Sequence, residues 1–180
     1  MIGEALTERL RLRPWSSAFA EPLAAMNRDP EVMRFIRAGA PLSREESLAL
    51  SERLSAHWAE HGFGLWAAET RASGEFLGFV GLSHPLWFPD LAGEVEVGWR
   101  LARHAWGHGY ATEGAREAVR VAFTTLELRR VVSLIHPENT RSRAVAERLG
   151  FALEYQAPHP TEPIQVAVYT LSRPSAARPA

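Results

Sequence analysis

The chain has 180 residues, 46% of them hydrophobic and 23% charged, with a formal net charge of -1 and no cysteine. That length suits one domain with a real core, and the missing cysteines exclude disulfides, thiolate metal sites and cysteine nucleophiles. The near-balanced charge argues against a dedicated nucleic-acid binder, and no apolar run approaches the ~20 residues of a membrane helix. The opening Met1-Ile2-Gly3-Glu4 lacks a secretory signal, so a cytoplasmic protein with neither membrane nor nucleic-acid partners is expected.

In chain order, leucines 6, 10 and 12 alternate with charges, which predicts one half-buried strand up to Pro14. Phe19, Leu23 and Met26 predict a short helix over 17–26. Asp29-Pro30-Glu31 starts another, with Val32, Phe35 and Ile36 as its buried face. Ser43 and Glu46 have capping-box spacing and open a third helix that stops at Gly62. Residues 65–69, 76–82 and 94–101 then read as an antiparallel meander, separated by turn signals at 71–74 and 89–93. A helix over 112–126 carries a stripe of alanines. It is followed by a strand at 130–135, a short helix at 142–149 closed by Gly150, and two strands at 151–155 and 165–171. The domain is expected to span 1–172, with 173–180 a flexible tail.

Chemistry is concentrated where the third meander strand meets the alanine-striped helix. There Trp106-Gly107-His108-Gly109-Tyr110-Ala111-Thr112 forms a loop that opens a helix. Helix N-termini leave N–H groups unpaired and carry the positive dipole end. Glycines let that backbone approach an anion, and a diphosphate is the natural guest. The same residues also suit a plain strand-to-helix turn. A Walker-type loop is absent, and a dinucleotide fingerprint would need glycine where Thr112 stands.

The run His104-Ala105-Trp106-Gly107-His108-Gly109 resembles the coenzyme A loop of the GCN5-related N-acetyltransferases, departing from it at His104. A second stretch agrees: Pro137-Glu138-Asn139-Thr140-Arg141-Ser142, followed by Leu149-Gly150-Phe151. It is similar to the branch containing the ribosomal-protein N-terminal acetyltransferases. The resemblance covers residues 10–171 and is sharpest over 94–151. It implies an α+β fold with a mostly antiparallel twisted sheet of six to seven strands, flanked by helices on both faces. It also implies acetyl transfer from acetyl-CoA to a primary amine, on a protein N-terminus or a small molecule, within a ternary complex. No metal is implied, and the state is a monomer or homodimer. A non-catalytic acyl-CoA-binding module and a ligand-free structural domain are the alternatives.

Residue by residue, the resemblance makes Glu96 the candidate base, unless it and Glu94 are surface carboxylates. Ser142 becomes the candidate acid beside the cofactor sulfur, and Asn139 a contact to the cofactor arm or simply a helix cap. Backbone groups of Trp99 and Leu101 would pair with the pantetheine arm. His104 and residues Trp106, Gly107, His108, Gly109, Tyr110, Ala111 and Thr112 would hold the cofactor, with Arg103, Arg141 or Arg143 near its phosphates. His84, Trp87 and Phe88 are candidates for the acceptor pocket, with His57 and Trp58 as further possibilities at helical spacing.

Overall fold

A computed structural model describes residues 2–174. The leucine alternation at the start marks two strands, not one: β1 (Ala5–Leu6) and β2 (Leu10–Arg13) pair antiparallel. Thr7 closes the reversal, its N–H donating to the Leu10 carbonyl at 3.0 Å and its Oγ1 accepting the Leu10 N–H at 3.1 Å. Alternation records which side a residue faces and is blind to a turn inside the run.

A 3-10 turn at Ser17–Phe19 leads into α1 (Ala20–Asn27). Asp29 caps α2 (Pro30–Met33) as expected, its carboxylate accepting the Glu31 N–H at 2.9 Å. This helix ends after one turn, so Phe35 and Ile36 fall outside it and are only partly buried. The chain then reverses through Arg37 and Ala38, both at positive φ (48° and 54°). The capping box of Ser43 and Glu46 opens α3 (Arg44–His61), which stops at left-handed Gly62.

The meander is β3 (Leu65–Thr70), β4 (Phe76–Ser83) and β5 (Glu96–Leu101), the last starting two residues later than the alternation implies. After it come α4 (Tyr110–Thr124), β6 (Arg130–Ile135), α5 (Thr140–Arg148), β7 (Ala152–Pro158) and β8 (Gln165–Ser172). All strands join one eight-stranded sheet in the order β1-β2-β3-β4-β5-β6-β8-β7. Every pairing is antiparallel except β5 with β6, which is parallel and has a single register pair, Glu96 with Val132. Of the expected tail, Arg173 still donates to the Arg129 carbonyl at 2.8 Å, and residues 175–180 lie outside the described residues.

Helices cover both faces. On one, Trp15 packs edge-on against Phe79 of β4 and donates its indole N–H to Ser51 of α3 at 2.9 Å. On the other lies α4, whose Ala115, Ala118 and Ala122 are buried. It lies close on the sheet at Gly114, where a Cβ would come within 2.6 Å of Val80 Cγ1. Small residues thus press the start of α4 onto β4. No helix among the described residues is long and apolar enough to cross a membrane.

Gly114→Ala should therefore destabilise the fold, although alanine is the better helix former. Overpacking costs about 1–3 kcal/mol and propensity returns about 1 kcal/mol, so a net loss of up to about 2 kcal/mol is expected in urea unfolding. Adding Val80→Ala should recover part of it; an unchanged midpoint in the single variant would refute the close contact.

Candidate active site

Beyond the Glu96–Val132 pair the two central strands part. β5 continues to Leu101 along β4, and β6 continues to Ile135 along β8, with no further pairing between them. The gap opens into a cleft of about 1010 Å³. Trp99 and Leu101 form one wall, and Asn139 and Ser142 at the start of α5 form the other. Phe35, from the segment after α2, reaches across to His136, with ring centroids 5.2 Å apart. The Leu101 carbonyl accepts the Trp106 indole N–H at 2.8 Å, which leaves one of its lone pairs free.

At the mouth, Gly107 and Gly109 take φ values of 80° and 82°, the left-handed region that glycine enters without cost. A Cβ at Gly107 would meet nothing within 4 Å. The N–H groups of residues 107–112 have no hydrogen-bond acceptor among the described residues, and Gly107, Gly109, Tyr110, Ala111 and Thr112 all border the cleft. Open space in front of unpaired amides at a helix start is what an oxyanion ligand requires.

The β1–β2 turn holds this loop in place. Arg9 donates to the His108 carbonyl at 2.8 Å, lies 4.9 Å over the Tyr110 ring and pairs with Glu113 at 2.7 Å. Glu113 also accepts from Thr7 Oγ1 at 2.6 Å and the Arg9 N–H at 2.7 Å. Burial alone would push its carboxyl up, but the hydrogen bonds from Thr7 and Arg9 outweigh it and hold the group below the usual carboxylate range.

Glu96 sits where the strands separate, partly buried. Desolvation pushes its carboxyl up to about 7, against the opposing hydrogen bond from the Leu134 backbone. Asn139 caps α5 by accepting the Ser142 N–H at 3.1 Å, so its Oδ1 is engaged while its amide nitrogen is uncommitted. Across the mouth, Arg141 lies 4.6 Å over the Trp106 ring and joins the two walls.

The profile of a family described as an acetyltransferase (GNAT) domain matches residues 9–152 of this chain. The chain belongs to the GNAT acetyltransferase family. It is 34% identical over 167 residues to the FsC-acetyl coenzyme A-N(2)-transacetylase of Aspergillus fumigatus, covering 86% of this chain and 69% of that protein. An acetyltransferase structure from Agrobacterium tumefaciens superposes with a TM-score of 0.81 at 32% identity, covering 96% of each chain. The microcin C7 self-immunity acetyltransferase MccE, solved in complex with acetyl-CoA and AMP, shares the fold at 16% identity, with a TM-score of 0.73 over 92% of this chain and 93% of that one. The protein is thus an acetyl-CoA-dependent N-acetyltransferase.

Several residues expected at the acetyltransferase's site lie elsewhere. Phe88 is 2% exposed, in an apolar cluster with Leu91, Val132, Val166 and Val168; the turn it occupies folds inward onto the sheet. Trp87, 42% exposed, stacks on His159 at 4.6 Å. His84 packs with His57, His61 and Phe63, and its N–H donates to His57 Nε2 at 3.2 Å. None of these three borders the cleft. Trp58 is core, its indole N–H donating to the Leu65 carbonyl. His104 pairs with Glu75 at 3.1 Å and, with Arg103, faces a separate depression, while the cleft lining skips His108. Arg143 turns inward to Tyr169 Oη at 3.0 Å and the Pro137 carbonyl at 3.2 Å. Glu94 pairs with Arg130 at 3.2 Å.

Sequence reasoning missed Arg9, Glu113, Arg100 and Arg116, all of which border the cleft. The contacts of Arg9, Glu113 and Arg100 run between distant segments, and nothing in the local pattern marks any of the four.

Because Glu113 has a depressed carboxyl pKa in the fold, it contributes stability above its unfolded pKa and loses that contribution as pH falls through the folded value. Glu113→Gln should lower the melting temperature at pH 7 by a few degrees and flatten the acid limb below pH 4.5; equal melting curves from pH 3 to 7 would remove the clamp.

Proposed function

We propose that the acetyltransferase moves the acetyl group of acetyl-CoA directly to a primary amine held at the inner end of the gap. The reading is supported by the parting of β5 from β6 beyond Glu96 and Val132, with the unpaired amides of 107–112 at the mouth of the cleft; Glu96 itself is not among the residues that border the cleft and stands at the point where the strands separate. Acetyl-CoA supplies an activated acetyl thioester. In this reading the amides of Gly107 to Thr112 bind its diphosphate. One helix-end contact is worth only ~0.3–1 kcal/mol, so several donors act together with the backbone of Trp99 and Leu101 and the Asn139 amide along the arm. Trp106 and Tyr110 shape the mouth.

An amine attacks only as the free base, and a lysine-type amine has a pKa near ~10.4. Glu96 accepts the proton. An unshifted carboxylate would be a poor base near neutrality, and burial that raises Glu96 to about 7 corrects this. The amine lone pair forms the new C–N bond as the C–S bond breaks, and the Ser142 hydroxyl gives its proton to the departing sulfur and regains one from solvent, while the proton taken by Glu96 is released to solvent. No cysteine exists to carry the acetyl group.

The rate should rise as pH passes about 7. Glu96→Gln should lower turnover by about 10²–10⁴-fold, leave acetyl-CoA affinity unchanged in calorimetry, and erase that limb so the rate follows only the free-amine fraction. The same group has a stability signature. Its folded pKa is raised, so the fold loses stability as pH climbs from 4.5 through about 7, and Glu96→Gln should melt above wild type at pH 8. Wild-type turnover in this variant would take Glu96 out of the mechanism.

Ser142→Ala should lower kcat while the affinity for acetyl-CoA stays fixed. An unaltered kcat, read by free-thiol release, would reduce Ser142 to a residue of the α5 cap region.

A further inference from the structure

Arg100 lies on β5 two residues before the loop region and borders the cleft. In register with Phe79, it faces the α1–α3 side of the sheet, its guanidinium 5.2 Å over the Phe79 ring. One nitrogen, Nη1, donates to Asn27 Oδ1 at 2.8 Å, and Asn27 is wholly buried with its amide donating to Ser47 at 3.2 Å. Nε is shut off from solvent without an acceptor. No carboxylate among the described residues lies within 4.0 Å of its nitrogens. Of the acidic residues bordering the cleft, Glu113 is committed to Arg9 and Thr7, and Glu8, Glu31 and Glu138 form no ion pair with Arg100. Arg37 lies near enough for its charge to act on Arg100, although desolvation is the larger cause pushing the guanidinium down to about 10. Charges withdrawn from water are ordinarily paired. This one, half-buried, has a neutral amide and an aromatic ring.

Glu96, Gly98 and Arg100 share one face of β5 by strand alternation. Gly98 puts no side chain between the other two: the nearest atoms a Cβ there would meet are the Leu65 Cδ2 at 3.7 Å and the Glu96 carboxylate at 3.9–4.0 Å. The Glu96 carboxylate lies over Gly98, where it accepts the Leu134 backbone N–H, and roughly 7 Å of bare strand separates residue 98 from residue 100 on that face. The amides that would take the cofactor diphosphate belong to α4, which packs on the opposite face through Gly114 and Val80. Arg100 is thus placed for the acceptor rather than for the cofactor phosphates.

We propose that Arg100 is a specificity residue that pairs with a carboxylate carried by the acceptor, whose amine lies beside Glu96. The preferred acceptors are then amino acids and related amine-bearing acids, and polyamines and other polycations are rejected. This inference rests on the acetyl-transfer reading above. A guanidinium binds a carboxylate through paired, charge-assisted hydrogen bonds; an amide on the acceptor offers one neutral oxygen and no charge, and an ammonium group offers no acceptor at all.

The test is an acceptor panel with free-thiol release as readout: alanine and the ω-amino acids from β-alanine to 6-aminohexanoate, their matched carboxamides, and spermidine. For wild type, kcat/KM should favour the best acid over its amide by at least about 10-fold, with spermidine the poorest. Arg100→Gln should raise KM for the acids by roughly 10–100-fold, leave KM for the amides and the acetyl-CoA dissociation constant unchanged, and change kcat little. Because loss of a buried side chain can unfold the chain, the wild-type preference stands as an independent readout. Turnover without preference for acids, equal KM losses on acids and amides, or weakened acetyl-CoA binding in the variant would each overturn the role of Arg100 while leaving acetyl transfer intact. Acetyl-CoA binding with no turnover on any member would instead overturn the transfer reading, and this inference with it.

Discussion

The site depends on β5 and β6 meeting at one residue pair and then separating. A sheet that stayed zipped between these strands would satisfy its own backbone and leave no room for a ligand. Here each strand is secured on its outer side, β5 by β4 and β6 by β8, so the inner edges can part without unravelling the fold. Backbone polar groups that are buried require partners, and inner edges that lack a neighbouring strand are suited to an extended ligand that adds itself as one.

The two ends of that gap are prepared differently. At the mouth the backbone does the work: two left-handed glycines turn unpaired amides outward, and the Arg9–Glu113–Thr7 cluster keeps them from drifting. At the inner end side chains do it, through a carboxylate made basic by desolvation and a guanidinium left without a counterion. Opposite charges four residues apart on one strand face are kept apart by the rise of the strand and avoid neutralising each other. A direct Glu96–Arg100 ion pair would depress the carboxyl pKa and consume the cation.

Local features were legible in the sequence where the physics is local. Asp29, Ser43 with Glu46, and Gly62 announce helix ends because capping involves neighbours only. The alanine stripe identifies the buried side of α4, and Val131, Val132, Leu134 and Ile135 mark β6, whose observed limits are those expected. The hidden turn at Thr7 and the early end of α2 were not legible, since side-chain alternation and period do not encode where a chain reverses. The loop of residues 106–112 stood out through its glycines, and the structure puts most of it at the cleft. Of the aromatic pair, Phe88 turns into the core, because a large side chain in a turn covers core as readily as it covers a ligand, while Trp87 stays exposed against His159. The gap itself is invisible in either strand, since strand sequence does not reveal how many residues pair. Arg100 and Asn27 are 73 positions apart, and only the fold brings them together.

Residue-resolved hydrogen exchange reads whether the amides of residues 107–112 hold the diphosphate of the cofactor. Unpaired amides exchange rapidly and become protected when they donate to a ligand. Acetyl-CoA should slow exchange across these six amides by at least about tenfold, whereas pantetheine, which carries no diphosphate, should leave them unprotected. Equal protection by pantetheine, or none with saturating acetyl-CoA, would contradict the account.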